Sequence, residues 1–435
     1  MRRTLLLRAR SPAWTVRPGA SGGVELLRRD ATTSLPATAS PPAPVPIPID
    51  WLLGNDASNR HATGQKTSTL EELASDAKGG EMPPVVSACT LSTGAAGTLT
   101  ASLTTGQTVR VPWKLLEEYG INRQGVGPCG VDLSHSSMHR VSFRDFARRG
   151  SDEWGTAVSR LSQDGIIIVG DCPQRDDNAV VRIAQKLAAR PMQTLYGDAW
   201  TVESKPAKGP KNNIAYTAEY LDLHNDLAYY ESMPGVQLLH CVKFDPQVVG
   251  GESFFVNAFS CAEELRRSHP EAFDILCDTP MSFMKDDPHR AVPAKYYYST
   301  PILRTTAPLP DRHGGSPVRR LIKIVWAPAF EAPLPLCLGA QRITDFYHAY
   351  RRFAQVLLKE RQRKALWFRM RPRDCVVFNQ GVWLHGRERF VEPRPGMRRF
   401  RGCYVNVDDF RNTVASHGLM PTGGLEPSFN NGSWF

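Results

Sequence analysis

Apolar residues in this chain fall mostly into short runs closed off by glycine, proline and small polar residues. Gly165-Ile166-Ile167-Ile168-Val169-Gly170, Val236 to Val242, Phe254 to Val256, Leu321 to Trp326, Asp374 to Phe378 and Arg401 to Val407 each read as a strand. Gly250-Gly251-Glu252-Ser253 reads as a turn ahead of one of them. Near the start, Thr98 to Leu103 and Thr108 to Trp113 form a strand pair across a Thr-Gly-Gln turn, and Lys295 to Gly315 reads as a hairpin with a long loop. Helical spacing is confined to a few places. Ser142 to Phe146 opens a short helix, and Val158 to Gly165 is helical. Asn178 to Ala189 carries Val181, Ile183, Ala184 and Leu187 near one face, and Gln341 to Glu360 carries Ile343, Phe346, Tyr350, Phe353 and Leu357. The pattern is that of a strand-rich core braced by helices.

Two short stretches carry the candidate chemistry. In Leu223-His224-Asn225-Asp226-Leu227 a histidine and a carboxylate stand two residues apart, so on a strand they share a face. Trp383-Leu384-His385-Gly386-Arg387 supplies a second histidine from a distant strand. His224, Asp226 and His385 together make the 2-His-1-carboxylate set of non-haem Fe(II) oxygenases, which leaves three metal positions open. A His-x-Asp alone recurs by chance; here the strands around both histidines strengthen the signal. Arg398 and Arg399 follow on the last strand and are placed to hold an acidic co-substrate, since a guanidinium fork matches a carboxylate. Neighbours on a strand face opposite ways, so one of the two enters the site; Arg398 is the first choice.

Residues 221 to 259, with "LHNDLAYYESMPGVQLLHCVKF…GGESFFVNAF", and residues 379 to 411, with "NQGVWLHGRERF…RRFRGCYVNVDDFR", closely resemble the γ-butyrobetaine hydroxylase and trimethyllysine hydroxylase branch of the TauD-like Fe(II)/2-oxoglutarate dioxygenases. The resemblance covers about residues 140 to 412. It implies an α+β fold whose core is a double-stranded β-helix, of jelly-roll or cupin type, with a small β-rich N-terminal domain. It implies Fe(II) as the metal, 2-oxoglutarate and O2 as co-substrates and ascorbate as reductant. It also implies a trimethylammonium cage at Tyr196, Trp200, Tyr216 and Tyr404, with Asn213 near the co-substrate and substrate carboxylate and Ser253 adding a hydroxyl to the 2-oxoglutarate site. Such a cage has a physical reason: a trimethylammonium has no N–H to donate, and aromatic faces attract it through their quadrupole. The chain departs from the family in two places. "WLLGNDASNRHATGQ" has no cysteine where the family's N-terminal zinc cluster falls, so no structural zinc is expected, and "VWAPAF" replaces an asparagine-bearing run at the substrate carboxylate end.

The reading is therefore a dioxygenase that hydroxylates γ-butyrobetaine to carnitine. Trimethyllysine hydroxylation is the alternative within the class. A quaternary-ammonium-binding protein without catalysis, or a metal hydrolase on a cupin-like barrel, is the alternative outside it. A small molecule is the expected partner, in a homodimer.

Charge and composition refine the outline. The 435 residues carry a net charge of +10. Seven arginines against Glu25 and Asp30 in residues 1 to 30 account for half of it. The remainder gives little reason to expect nucleic acid as a partner. The Arg-rich start, without a long apolar core, is expected to be a mitochondrial transit peptide over residues 1–34, a cytoplasmic protein being the alternative. A Pro-rich linker over 35–48 is expected to be extended and to pack no core. The small N-terminal domain is placed at 49–139, the dioxygenase domain at 140–412 and a mobile Gly/Ser/Asn-rich tail at 413–435. No apolar run approaches the roughly 18 residues of a membrane helix, so no membrane partner is expected. Nine cysteines, none as C-x-x-C and several in apolar runs, read as buried free thiols.

Overall fold

The run Ile166–Gly170 is buried along its whole length, which fits its unbroken apolar sequence. In the computed structural model it lies inside a six-stranded sheet. The strand order is His139–Ser142, Ile166–Gly170, Cys375–Asn379, Val236–Phe244, Arg398–Val405 and Trp200–Glu203. The first two strands are parallel and the other neighbours antiparallel. A four-stranded antiparallel sheet, Leu221–His224, Trp383–Arg387, Ser253–Asn257 and Leu366–Phe368, packs against one face of it. Ile166, Ile168, Val376, Phe378 and Phe400 from the large sheet share one core with Leu223, Phe255, Leu384 and Leu366 from the small one. Phe255 meets Phe378 edge-on at 5.1 Å across that core.

The description covers residues 13–20, 22–29, 44–60, 84–94, 96–117, 135–174, 176–203, 217–290, 292–308, 317, 319–363, 366–391 and 396–419. The chain divides into two compact units, residues 1–124 and 125–435.

The outer face of the large sheet (Ile167, Val169, Val236, Leu238, Val377, Val405) is sealed by three helices, Asp152–Asp164, Ala179–Leu187 and Val407–Ser416. Ser151 caps the first by accepting the Trp154 N–H, and Gly165 closes it in a left-handed conformation. The third helix overlaps the stretch expected to be a mobile tail. Phe410, Thr413 and Val414, spaced by three and four, are buried, so residues 413–416 belong to the fold; residues 420–435 lie outside the described part. The long helix Ala340–Arg363 carries the expected stripe, with Phe346, Ala349, Phe353 and Leu357 buried, alongside Ala258–Ser268 and Pro270–Asp278. The hairpin expected at 295–315 forms differently. Ala294–Pro301 pairs back onto Pro280–Asp287, while Leu303–Thr305 pairs forward with Leu321–Ile324.

The N-terminal unit holds two three-stranded antiparallel sheets. One is the expected pair Thr98–Leu103 and Thr108–Pro112, extended by Val86–Leu91; Leu99, Ala101, Leu103, Val109 and Val111 alternate into its core. The other joins Ala13–Pro18, Val24–Arg29 and Val45–Ile47, with Val24, Leu26 and Ile47 buried in the same core. This corrects one expectation. The end of the Pro-rich stretch packs a core, because proline on an edge strand need not donate a ladder hydrogen bond. The paired strands Ala13–Pro18 and Val24–Arg29 lie within the stretch expected to be a leader; residues 1–12 and 30–43 lie outside the described part. Eight cysteines fall among the described residues. None is in a disulfide and six are buried.

His240 sits on the outer face of the large sheet, buried, with neither ring nitrogen hydrogen-bonded among the described residues. Burial pushes its pKa down to about 4. The unfolded imidazole, near 6.5, therefore takes up a proton first as the pH falls. The stability it leaves intact above pH 6.5 is lost on going down toward pH 4, by about 3 kcal/mol at most. His240→Leu is expected to shrink the drop in urea midpoint between pH 7 and pH 5. An undiminished drop would show that the acid sensitivity lies elsewhere.

Candidate active site

His224 is the last residue of its strand and pairs directly with His385 on the neighbouring antiparallel strand. That register brings the two imidazoles to 4.2 Å between ring centroids. Asp226 is not on the strand, as the two-residue spacing suggested. It lies in the turn just beyond, where Leu227 takes a left-handed φ of 59°. A buried frame forces that turn. Asn225 exchanges main-chain and side-chain hydrogen bonds with Trp326: its N–H reaches the Trp326 carbonyl at 2.7 Å, and its Oδ1 accepts the Trp326 N–H at 2.6 Å. Its Nδ2 donates to the Gln380 carbonyl. Gln380 Oε1 accepts the Asp226 N–H at 3.0 Å, and its Nε2 donates to the Pro234 carbonyl at 2.8 Å. The "VWAPAF" segment thus serves the metal turn, and Trp326 stacks on Tyr350 at 4.4 Å.

The result is convergence. One donor atom from each of His224, Asp226 and His385 lies within 4.8 Å of the others, the one such group of His, Cys, Asp and Glu among the described residues. His224 Nε2 stands 3.4 Å from Asp226 Oδ1, while its Nδ1 is engaged at 2.8 Å with the Asp222 carbonyl. The donor set fits a divalent first-row metal, which reaches about 2 Å to each nitrogen or oxygen. The electrostatics agree. Burial pushes His385 down to about 3, with His224 adding to the effect, so it stays the neutral base that ligation needs. At Asp226 burial favours the acid form, but His224, His385 and Tyr404 outweigh it and hold the group well below the usual carboxylate range. At His224 burial works downward, and the Asp226 carboxylate reverses it and raises the pKa. A metal cation set among these donors would take the place of that proton. His385 Nδ1 is buried without a hydrogen-bond partner among the described residues.

Arg398 is buried on the last strand, its guanidinium 4.0 Å from the Phe400 ring and near Phe244 and Phe390. It reaches the carbonyl of Gly251 at 3.5 Å; Gly251 has φ +78°, and a side chain there would crowd Arg398 Nε at 3.2 Å. Burial, then the neighbouring Arg387, pulls the Arg398 pKa down to about 9. Arg399 points away and pairs with Asp177 at 2.8 Å and Glu203 at 2.7 Å, as alternation requires. Ser253 is buried and lies opposite Arg387 in the strand register. Arg387 was not singled out from sequence. It is buried two residues past His385 and donates to the carbonyls of Thr217 and Glu219 at 2.8 and 2.6 Å.

Of the expected cage, Trp200 and Tyr404 stand 5.9 Å apart at a tilt of 41°. The Trp200 ring lies over Gly402, its cross-strand partner, where a Cβ would come within 2.3 Å of it. Tyr196 belongs to the same cluster and is hydrogen-bonded to Tyr229, with the Arg290 guanidinium 5.5 Å from its ring. Tyr229 is a further aromatic that sequence reasoning missed. Its only signal was its place three residues past Asp226. Asn213 and Tyr216 lie outside the described residues. Gln237 was also missed. It is fully buried and donates from Nε2 to Asp226 Oδ2 at 2.6 Å; the Tyr404 hydroxyl donates a hydrogen bond to the same oxygen at 2.8 Å. A separate cavity of about 290 Å³, lined among others by Phe254, Glu264, Val356 and Trp367, contains none of these residues.

Comparisons with known proteins agree with this geometry. The profile of the taurine catabolism dioxygenase TauD, TfdA family matches residues 126–404. A γ-butyrobetaine dioxygenase of Pseudomonas sp. strain AK-1 is 36% identical over 239 residues, 55% of this chain and 56% of that protein. The human γ-butyrobetaine dioxygenase is 30% identical over 217 residues, 49% of this chain and 51% of the other. A trimethyllysine dioxygenase of Meyerozyma guilliermondii is 28% identical over 252 residues, 58% and 57% of the two chains. The chain spans about half the length of the curated relatives it matches. With the profile covering well over half of its residues and three metal-type donors converging from one strand pair and the turn beyond it, the chain belongs to the TauD/TfdA dioxygenase family.

Proposed function

We propose that this chain is an Fe(II)- and 2-oxoglutarate-dependent dioxygenase that hydroxylates a trimethylammonium substrate, with γ-butyrobetaine as that substrate and carnitine as product. The observation that carries the reading is the junction of two sites: three metal-type donors meet at Asp226, and the carboxylate of Asp226 is hydrogen-bonded to Tyr404, a wall of the aromatic box. Fe(II) bound there with 2-oxoglutarate and O2 would supply the oxidising power to place a hydroxyl on an unactivated C–H bond, with succinate and CO2 as by-products; ascorbate would keep the metal reduced.

The chain's own residues do the rest. His224, Asp226 and His385 would hold the metal, a three-residue set of the kind that leaves room for further ligands. Arg398 holds the far carboxylate of 2-oxoglutarate, where burial among Phe244, Phe390 and Phe400 excludes water and strengthens the pairing. Tyr196, Trp200 and Tyr404 receive the ammonium through their faces. Holding that end sets which carbon lies nearest the metal, a positioning effect. The relatives named for γ-butyrobetaine and for trimethyllysine support a common ammonium anchor and leave the other end of the substrate to experiment.

The test is succinate release with Fe(II), ascorbate and 2-oxoglutarate. Turnover stimulated by γ-butyrobetaine well above that with trimethyllysine is expected. Preference for trimethyllysine would move the assignment to the second hydroxylase. Stimulation by neither would leave a binder of quaternary ammonium ligands. The homodimer and the mitochondrial address remain part of the proposal, the latter supported by the arginines ahead of the first strand.

A further inference from the structure

From the hydrogen bonds around Asp226 we infer that Gln237 and Tyr404 are positioning residues that reserve one carboxylate oxygen for the metal, and that Tyr404 thereby makes the ammonium box and the metal centre a single unit. The inference rests on the metal site proposed above and adds residues to it.

The two carboxylate oxygens of Asp226 have different surroundings. Oδ1 faces His224 Nε2 at 3.4 Å, on the side where the three donors converge. Oδ2 faces away and receives two donors, Gln237 Nε2 at 2.6 Å and the Tyr404 hydroxyl at 2.8 Å. Both donors are rigidly held. Gln237 is fully buried in the middle strand of the large sheet, and Tyr404 is its direct cross-strand partner at 3% exposure. Hydrogen bonds to a charged acceptor in a dry site are the strong kind, so rotating Oδ2 toward a metal would break two of them. Gln237 Oε1 is buried without a hydrogen-bond partner among the described residues. The amide orientation is therefore set by its donor end, because the flipped amide would put an oxygen against the carboxylate. A carboxylate held this way ligates through one oxygen. That keeps a position open which a two-oxygen grip would take from the keto acid or oxygen.

Tyr404 carries the second consequence. Its ring is 5.9 Å from Trp200, and Trp200 lies over Gly402 two residues earlier on the same strand. One face of this tyrosine belongs to the box while its hydroxyl holds the metal carboxylate. Removing the hydroxyl should therefore loosen the metal even with no substrate present. A purely structural hydrogen bond would cost stability and leave metal affinity alone.

The experiment titrates Mn(II) into the metal-stripped full chain, following free Mn(II) by its paramagnetic resonance signal, with neither 2-oxoglutarate nor any trimethylammonium compound added. Tyr404→Phe and Gln237→Leu are each expected to weaken Mn(II) binding by about 10- to 100-fold, the usual effect of losing a hydrogen bond to a ligand side chain. Far-ultraviolet circular dichroism confirms that each variant is folded. Should Gln237→Leu not fold, Tyr404→Phe, which deletes one oxygen atom, decides alone. A folded Tyr404→Phe that binds Mn(II) within about twofold of the unmodified chain overturns the inference. The two readings fail separately. Normal metal affinity without turnover on either substrate sinks the proposed function and leaves the clamp testable in the same titration. Full turnover with unaltered metal affinity in both variants sinks the clamp and leaves the function.

Discussion

His385→Ala is expected to lower 2-oxoglutarate turnover by about a thousandfold or more, because a metal's charge stabilisation of several kcal/mol goes with it and each 1.36 kcal/mol is tenfold in rate. The substitution removes one of three donors from a set that has no spare: among the described residues no other His, Cys, Asp or Glu group gathers around this point. Folding should survive, since the imidazole is held as a neutral, strongly desolvated base that contributes no hydrogen bond from Nδ1. The cost is a small cavity beside Phe378, whose ring lies 5.3 Å from that of His385. Mn(II) titration and succinate release, measured side by side, check the result. Turnover at the unmodified rate in a folded His385→Ala chain would sink the metal assignment and everything built on it.

Arg398→Leu is the second large effect. Truncating one partner of a buried charge pair costs about 2–5 kcal/mol, so the 2-oxoglutarate affinity should fall by about thirtyfold to several thousandfold. The fold gives a reason for the size. Arg398 is ringed by Phe244, Phe390 and Phe400, and Arg387 nearby works against its charge. An incoming carboxylate relieves that opposition; leucine cannot attract one. The same ring of phenyl groups accommodates leucine, so stability should hold or rise even as the co-substrate is lost. Metal affinity should stay near that of the unmodified chain, since Arg398 is not one of the three donors. Lysine at the position should recover only part of the affinity, as a point charge without the fork. The Michaelis constant for 2-oxoglutarate is the readout, and an unchanged value in Arg398→Leu would move the anchor elsewhere, with Arg387 next in line.

The site could be read from sequence where its chemistry needs a particular residue at a particular spacing. A His-x-Asp, a distant histidine on a strand and an arginine thirteen residues later are such a pattern. The strands were legible for a similar reason: runs such as Ile166–Val169 and Val236–Val242 are buried on both faces and so carry no polar alternation. What was misread follows from the same logic. The two-residue spacing put Asp226 on the strand, and the turn that actually presents it is imposed by Asn225 and Gln380. The strands at 13–18 and 24–29 were not read, because arginines dominate the composition there. The buried alternation of Val24 and Leu26 is too short to weigh against that charge until Ile47 arrives from beyond the prolines.

By itself the sequence determined which residues carry charge, metal-type donors and aromatic faces, and which short segments prefer extended backbone, since those are local properties. Only the tertiary structure decided that Tyr404 and Gln237 share one oxygen of Asp226 and that Arg399 turns outward to Asp177 and Glu203. It alone decided that Trp200 rests on Gly402. These contacts join positions up to some two hundred residues apart, and periodicity tells a residue which way to face without naming the neighbour it will meet.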